Sequence, residues 1–292
     1  MERKLKRIDM LITCIIILLI IITLVGACSF QIDKSYMVTN QYGDAVKIFG
    51  SGIYAHDSYF KAPIFIGTDY TMLFVAVPIL IVALFKDIKK RSIKSKLFLI
   101  SIVGLVLYYS TSIAFGVTYN ALHLLYIALF STSLFTTILL VKNINTKELR
   151  RIQKLTLPSK GLTIFLTLSG LALFVAWLPD IITSLLNEKS LSLIEVYTTE
   201  ITYVVDMGIM SPLIFICLYL LKKKDGLGDI ILAFVLRICE IMGIMLPVQS
   251  LFQALAGIEL PIPALITKVG IFIILAIFSI YFNIKLYKNI EE

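Results

Sequence analysis

The chain is poor in the residues from which catalytic and metal centres are usually assembled. Its 292 residues include two histidines, four cysteines and one tryptophan. Cys14, Cys28, Cys217 and Cys239 show no CxxC spacing, and at least three lie in apolar runs, where a thiol serves as a small packing group. No His, Cys and Asp side chains cluster at metal-ligand spacing, so neither a metal nor another cofactor is implied. HExxH, GxSxG and a dense aspartate motif for Mg²⁺ are all missing. "HDSY" at 56–59 sets His56 beside Asp57, but neighbours in sequence do not make a catalytic triad and an outer turn explains them. "GSGIY" at 50–54 is followed by neither a strand–helix unit nor a Walker lysine, which excludes a phosphate-binding loop.

Charge is scarce as well. Charged residues make up 16% of the chain against 59% hydrophobic, and a mean hydropathy of +0.93 is far above that of a soluble domain. The chain therefore reads as an integral membrane protein whose first partner is the lipid bilayer. Runs such as "LITCIIILLIIITLVGA" are continuous, whereas a β-barrel needs short alternating segments. Helices are expected, because each backbone amide in lipid needs an internal partner.

The expected fold is an all-α polytopic transmembrane bundle, one membrane domain over 1–292. Eight spans have apolar cores at 9–29, 70–86, 97–115, 119–141, 162–183, 201–221, 228–246 and 263–284. An outer loop at 30–69 is rich in glycine and aromatics, which predicts a short ordered cap with a hairpin or re-entrant piece rather than a flexible linker. Spans two and six share an aspartate followed by a proline, Asp69 with Pro78 and Asp206 with Pro212, a weak four-plus-four pattern.

Lysine and arginine set the expected orientation. With eight alternating spans, 21 basic residues fall on one side and four on the other, with Arg237 and Lys268 inside spans. This bias predicts both termini in the cytoplasm of a multi-pass plasma-membrane protein, the inner membrane if the source is bacterial. The net charge of +8 sits at the ends of apolar runs with no soluble domain to form a groove, so nucleic acid is not an expected partner. The first helix also ends in "VGAC", which resembles a bacterial lipoprotein signal with Cys28 as acceptor. An uncleaved first helix with an ordinary cysteine explains the same residues.

Ionisable groups inside spans carry the functional signal, since each is expensive there and tends to mark a site. Counting from expected span ends puts Asp206, Arg237, Glu240 and Lys268 in the outer half of spans six to eight. Arg237 and Glu240 are three apart and share a helix face. The four form a candidate intramembrane polar cluster, either a site or a structural ion-pair network. Asp69, Tyr119, Asn120, His123, Tyr203, Gln249 and Gln253 are placed as the rim of an outward pocket. Tyr108, Tyr109 and Trp177 are expected as interface anchors. Three classes follow: a carrier of a small solute or ion, favoured here; a membrane sensor or interaction protein working through a membrane protein partner; and an intramembrane lipid-modifying enzyme, disfavoured because no nucleophile motif stands out.

Overall fold

A computed structural model describes residues 2–154 and 158–291, without the side chains of residues 2–4, 264, 267 and 268. Helix α1 (Glu2–Ala27) leads to strands β1 (Tyr36–Thr39) and β2 (Ala45–Ile48). The second span joins α2 (Ala62–Thr71) and α3 (Val77–Lys90) through a π-helical turn at Met72–Ala76. Helices α4 (Ile93–Gly116), α5 (His123–Asn143), the short α6 (Thr146–Ile152) and α7 (Lys160–Leu186) follow. The sixth span joins α8 (Ile201–Val205) and α9 (Ser211–Lys222) through a π-turn at Asp206–Met210. Helix α10 (Gly226–Leu255) precedes α11 (Ile262–Leu265), a π-turn at Ile266–Gly270 and α12 (Ile271–Lys288). Among the described residues eight helices are long and apolar enough to cross a bilayer, as the sequence predicts. Exposed apolar side chains such as Phe85, Val175 and Ile277 suit a lipid-facing surface.

The two ends of the bundle are built differently. At the end carrying both described termini, polar side chains cap the helix starts. Ser92, Asn145, Ser159 and Asp225 accept the amides of Ser95, Glu148, Leu162 and Leu227. Arg91, in the left-handed conformation at φ 51°, binds Asp9 and Asp87, and the Asp9 carboxylate lifts its guanidinium above the usual value. Lysines and arginines crowd this basic end.

At the opposite cap end β1 and β2 pair antiparallel from Tyr36↔Ile48 to Thr39↔Ala45, the expected hairpin. The hairpin leads at Phe49 into a small apolar cluster of Phe49, Tyr54, Ala62, Ile66 and Phe252. Segment 187–200 is stitched to it by polar contacts. Asn40 Nδ2 donates to Glu195 O at 2.9 Å, Gln41 Nε2 to Tyr197 O at 3.0 Å and Ser190 Oγ to Asp44 Oδ2 at 2.9 Å.

Two helices extend well beyond the expected spans at this end. The second span begins at Ala62, so Asp69 lies inside a helix rather than in the outer loop. Helix α10 runs through Pro247 to Leu255, nine residues past the expected end at 246. Pro247 suggests a stop, because it lacks an amide and clashes with the preceding turn. Here the apolar and glutamine side chains after it pack against α2, where Gly67 brings the two backbones together. A Cβ at Gly67 would lie 2.7 Å from Gln249 Cα. Helix α10 is the central element, touching α2, α4, α6, α9 and α12.

Candidate functional site

The central helix exposes one stripe to an internal cavity of about 360 Å³. Val235, Ile238, Cys239, Met242, Met245, Leu246, Gln249, Ser250 and Gln253 follow the three-and-four spacing that keeps side chains on one helix face. From Gln253 at the cap end to Val235 the stripe covers eighteen residue steps, about 27 Å of helix at 1.5 Å per residue. The volume is at the lower end of the roughly 300–1,000 Å³ of ligand pockets. Met210, Ile214, Leu173 and Leu275 complete an apolar lower wall.

One carboxylate stands in that wall. Asp206 opens the π-turn of the sixth span and is 6% exposed. Its Oδ1 accepts from Tyr108 Oη at 2.9 Å and its Oδ2 from Trp177 Nε1 at 2.9 Å. Trp177 stacks on Tyr203 with ring centroids 4.8 Å apart, and Tyr203 donates to Asp180 Oδ2 at 2.8 Å. Ser169, also in the wall, has a buried hydroxyl with no partner among the described residues. Tyr108 and Trp177 are thus hydrogen-bond donors to a buried acid, not headgroup anchors. Tyr108 lies eight residues from the cap end of α4, too deep for an interface belt.

The mouth is ionic. Lys61 and Glu200 are both buried and form an ion pair beside the opening, with Lys61 Nζ 4.1 Å from the centre of the Tyr197 ring. Segment 187–200, the lid segment, contributes Leu193, Thr199 and Glu200 to the lining at the cap end. Behind the pair, Asp57 Oδ1 accepts from Tyr197 Oη at 3.0 Å and from the Thr118 amide at 2.9 Å, while Ser58 Oγ bonds the Glu195 carboxylate. Burial pushes the Asp57 carboxyl up to about 7 and raises that of Glu195. His56 is exposed and Asp57 is committed to Tyr197 and Thr118, so "HDSY" does not assemble a catalytic pair.

Of the expected cluster residues whose side chains are described, Asp206 stands apart from Arg237 and Glu240. Arg237 and Glu240 pair at 2.5 Å, Asn283 Nδ2 donates to the second Glu240 oxygen at 2.5 Å, and the Arg237 guanidinium lies 5.2 Å from the Phe98 ring centre. They occupy the turn of α10 that lines the cavity floor, but they point to α4 and α12 on its other sides. Their expected depth also changes. Once α10 extends to Leu255, Glu240 is fifteen residues from the cap end and Arg237 eighteen, near the middle of the helix rather than in the outer half. Asp206 faces the cavity without them. The Lys268 backbone belongs to the third π-turn, and its side chain lies outside the described residues.

The expected rim divides in two. Tyr203, Gln249 and Gln253 line the cavity; Gln249 Nε2 donates to Thr68 Oγ1 at 2.7 Å and Gln253 Nε2 to the Phe60 carbonyl at 3.1 Å. Asp69 is instead completely buried, accepting from Tyr109 Oη at 2.5 Å and Tyr54 Oη at 2.6 Å. Asn120 caps its own turn, with Oδ1 accepting the Leu122 amide at 2.9 Å and Nδ2 donating to Tyr126 Oη at 3.3 Å. Tyr119 is 79% exposed, 5.3 Å from the His123 ring, away from the cavity. Cys28 is exposed just beyond α1. Comparison with protein-family models, curated proteins and solved structures finds no match.

Proposed function

We propose that the protein is a multi-pass carrier whose solute site is the cavity beneath the lid. The observation that supports this most is the coincidence of the cavity with breaks in the helices around it. Asp206 and Met210 lie in one π-turn and Val269 in another, and all three line the cavity. A π-turn holds one residue more than the α-helical spacing, so gaining or losing it rotates one half of a span by about 100° against the other. Pro212 is the second residue after its π-turn and has no amide to restore the regular ladder. Helices interrupted at a binding site are a recurring basis of alternating access. The lysine and arginine bias supports a cap end facing outward and a cytoplasmic basic end in a plasma membrane.

A sensor reading draws on the lid, whose Lys61–Glu200 pair joins two cap segments at the mouth. Cys239 separates the two readings because it lines the cavity floor. In a variant with Cys14, Cys28 and Cys217 replaced by serine, a carrier exposes Cys239 in turn to each side. A membrane-impermeant methanethiosulfonate then labels it from either face of oriented vesicles. Labelling from the cap face alone contradicts a carrier and leaves the sensor.

A further inference from the structure

On the reading that the cavity holds a solute, we propose that its ligand is a small organic cation, an ammonium group on an apolar body, with Asp206 as counter-ion. The described charged groups in the lining are three carboxylates, Glu200, Asp206 and Glu259, against one ammonium, Lys61, which is already paired with Glu200. Asp206 receives only neutral donors, Tyr108 and Trp177, and forms no ion pair among the described residues. An ionised carboxylate accepts about four hydrogen bonds. Two acceptor positions therefore have no described donor, and a buried charge without a cation is unfavourable. A ligand ammonium supplies both the charge and the donors. The buried Ser169 hydroxyl, without a partner among the described residues, is a second polar point in the lining. Below them the lining is mostly aliphatic and thioether, matching a hydrocarbon body, and the one described cation in the lining, Lys61, is already held by Glu200.

Trp177 is the sole tryptophan and touches Asp206 directly, so its emission reports on this contact. The test uses the full chain in phosphatidylglycerol nanodiscs, with hexylammonium, its uncharged isostere with carbon in place of nitrogen, and hexyl sulfate as probes. The cation is expected to give a saturable emission change with wild type. D206E retains the response, which shows that the charge matters rather than the fold, and D206N weakens it by at least about ten-fold. Hexyl sulfate gives no response. Repetition in phosphatidylethanolamine discs tells a lipid source from a free solute, since a headgroup amine in the cavity suppresses the signal there. Equal cation affinity in wild type and D206N overturns the proposal, as does a stronger response to hexyl sulfate. Binding of the uncharged isostere alone, abolished by S169F, removes the cationic ligand and keeps the cavity as a solute site. No response to any probe, with S169F emission matching wild type, removes both.

Discussion

Individual polar residues in the bundle divide into those that line the cavity, Asp206 among them, and those locked in packing away from it. Arg237 and Glu240 belong to the locked group. Their charges cancel on one turn of α10, with Asn283 bonded to the acid and the Phe98 ring beside the guanidinium. Removing one partner strands the other charge, whereas an apolar pair of similar volume removes both desolvation penalties. R237M is expected to destabilise by about 3–5 kcal/mol, and R237M/E240L to return near wild type. Steric trapping in bicelles measures both. Equal damage in the single and double variants would show that the pair serves something other than its own neutralisation. Asp69 is locked by Tyr54 and Tyr109, and burial next to that acid holds the Tyr54 hydroxyl well above its ordinary value. Gly26 makes room for it, since a Cβ there would meet Asp69 Oδ2 at 1.7 Å. G26A is expected to lose about 1–3 kcal/mol through overpacking, seen as a lower midpoint in thermal denaturation.

The same residues show what was legible in sequence. Asp206, Tyr203, Gln249 and Gln253 stand out as polar groups near apolar runs, and all four line the cavity. The partners of Asp206 do not stand out, because aromatic residues in a span have two uses. Depth would have separated them: a tyrosine hydroxyl eight residues from a helix end needs a protein partner. Lys61 and Glu200 are 139 residues apart, and no local pattern links them.

At the scale of elements, the eight spans were readable because each needs about twenty apolar residues. Their lengths at the cap end were not, because α10 continues past a proline that tertiary packing tolerates. A span ending at 246 places Glu240 and Arg237 nearer the membrane surface, at the depth of Asp206, than the full helix to Leu255 does. The apparent resemblance between spans two and six also resolves differently. The matching feature is a π-turn with proline as the second residue after it, Pro78 and Pro212, while Asp69 precedes its π-turn and Asp206 opens the other. Replacing Pro212 restores an amide and favours a regular helix, which turns Asp206 away from Trp177. P212A is expected to fold and to shift the Trp177 emission maximum. Wild-type emission would mean that the π-turn does not depend on proline.

The lid gives a second prediction at this scale. Asp57 has its carboxyl pushed up to about 7 by burial, with the Thr118 amide, Tyr197 and Lys61 opposing the shift, and Glu195 is raised by burial with Glu200 adding to it. Both acids hold protons more tightly in the closed lid than when released to water. The contribution of Asp57 to closure is complete below its ordinary value near 3.8 and is lost as pH rises through about 7, and that of Glu195 is lost in the same direction. Hydrogen exchange at the Ser58 and Tyr197 amides, corrected for intrinsic rates, is expected to be slower at pH 5.5 than at pH 8. D57N reduces the difference. A lid that opens more readily at pH 5.5 contradicts this sign.

At the scale of the whole molecule, a ring of spans encloses a cavity that opens under a polar lid, with a capped, basic opposite end. The lining combines length, an apolar body and one acid held by neutral donors, a combination that suits a solute better than a packed core. The most direct measurement is an experimental structure of the protein extracted in native lipid, resolved well enough to show what occupies the space along α10. Density for a small molecule between Gln253 and Val235, in contact with Asp206 and Ser169, is the expected result. A closed space with Leu173 and Met210 packed into it, and Asp206 joined to Arg237 in one polar network, would contradict a solute site there.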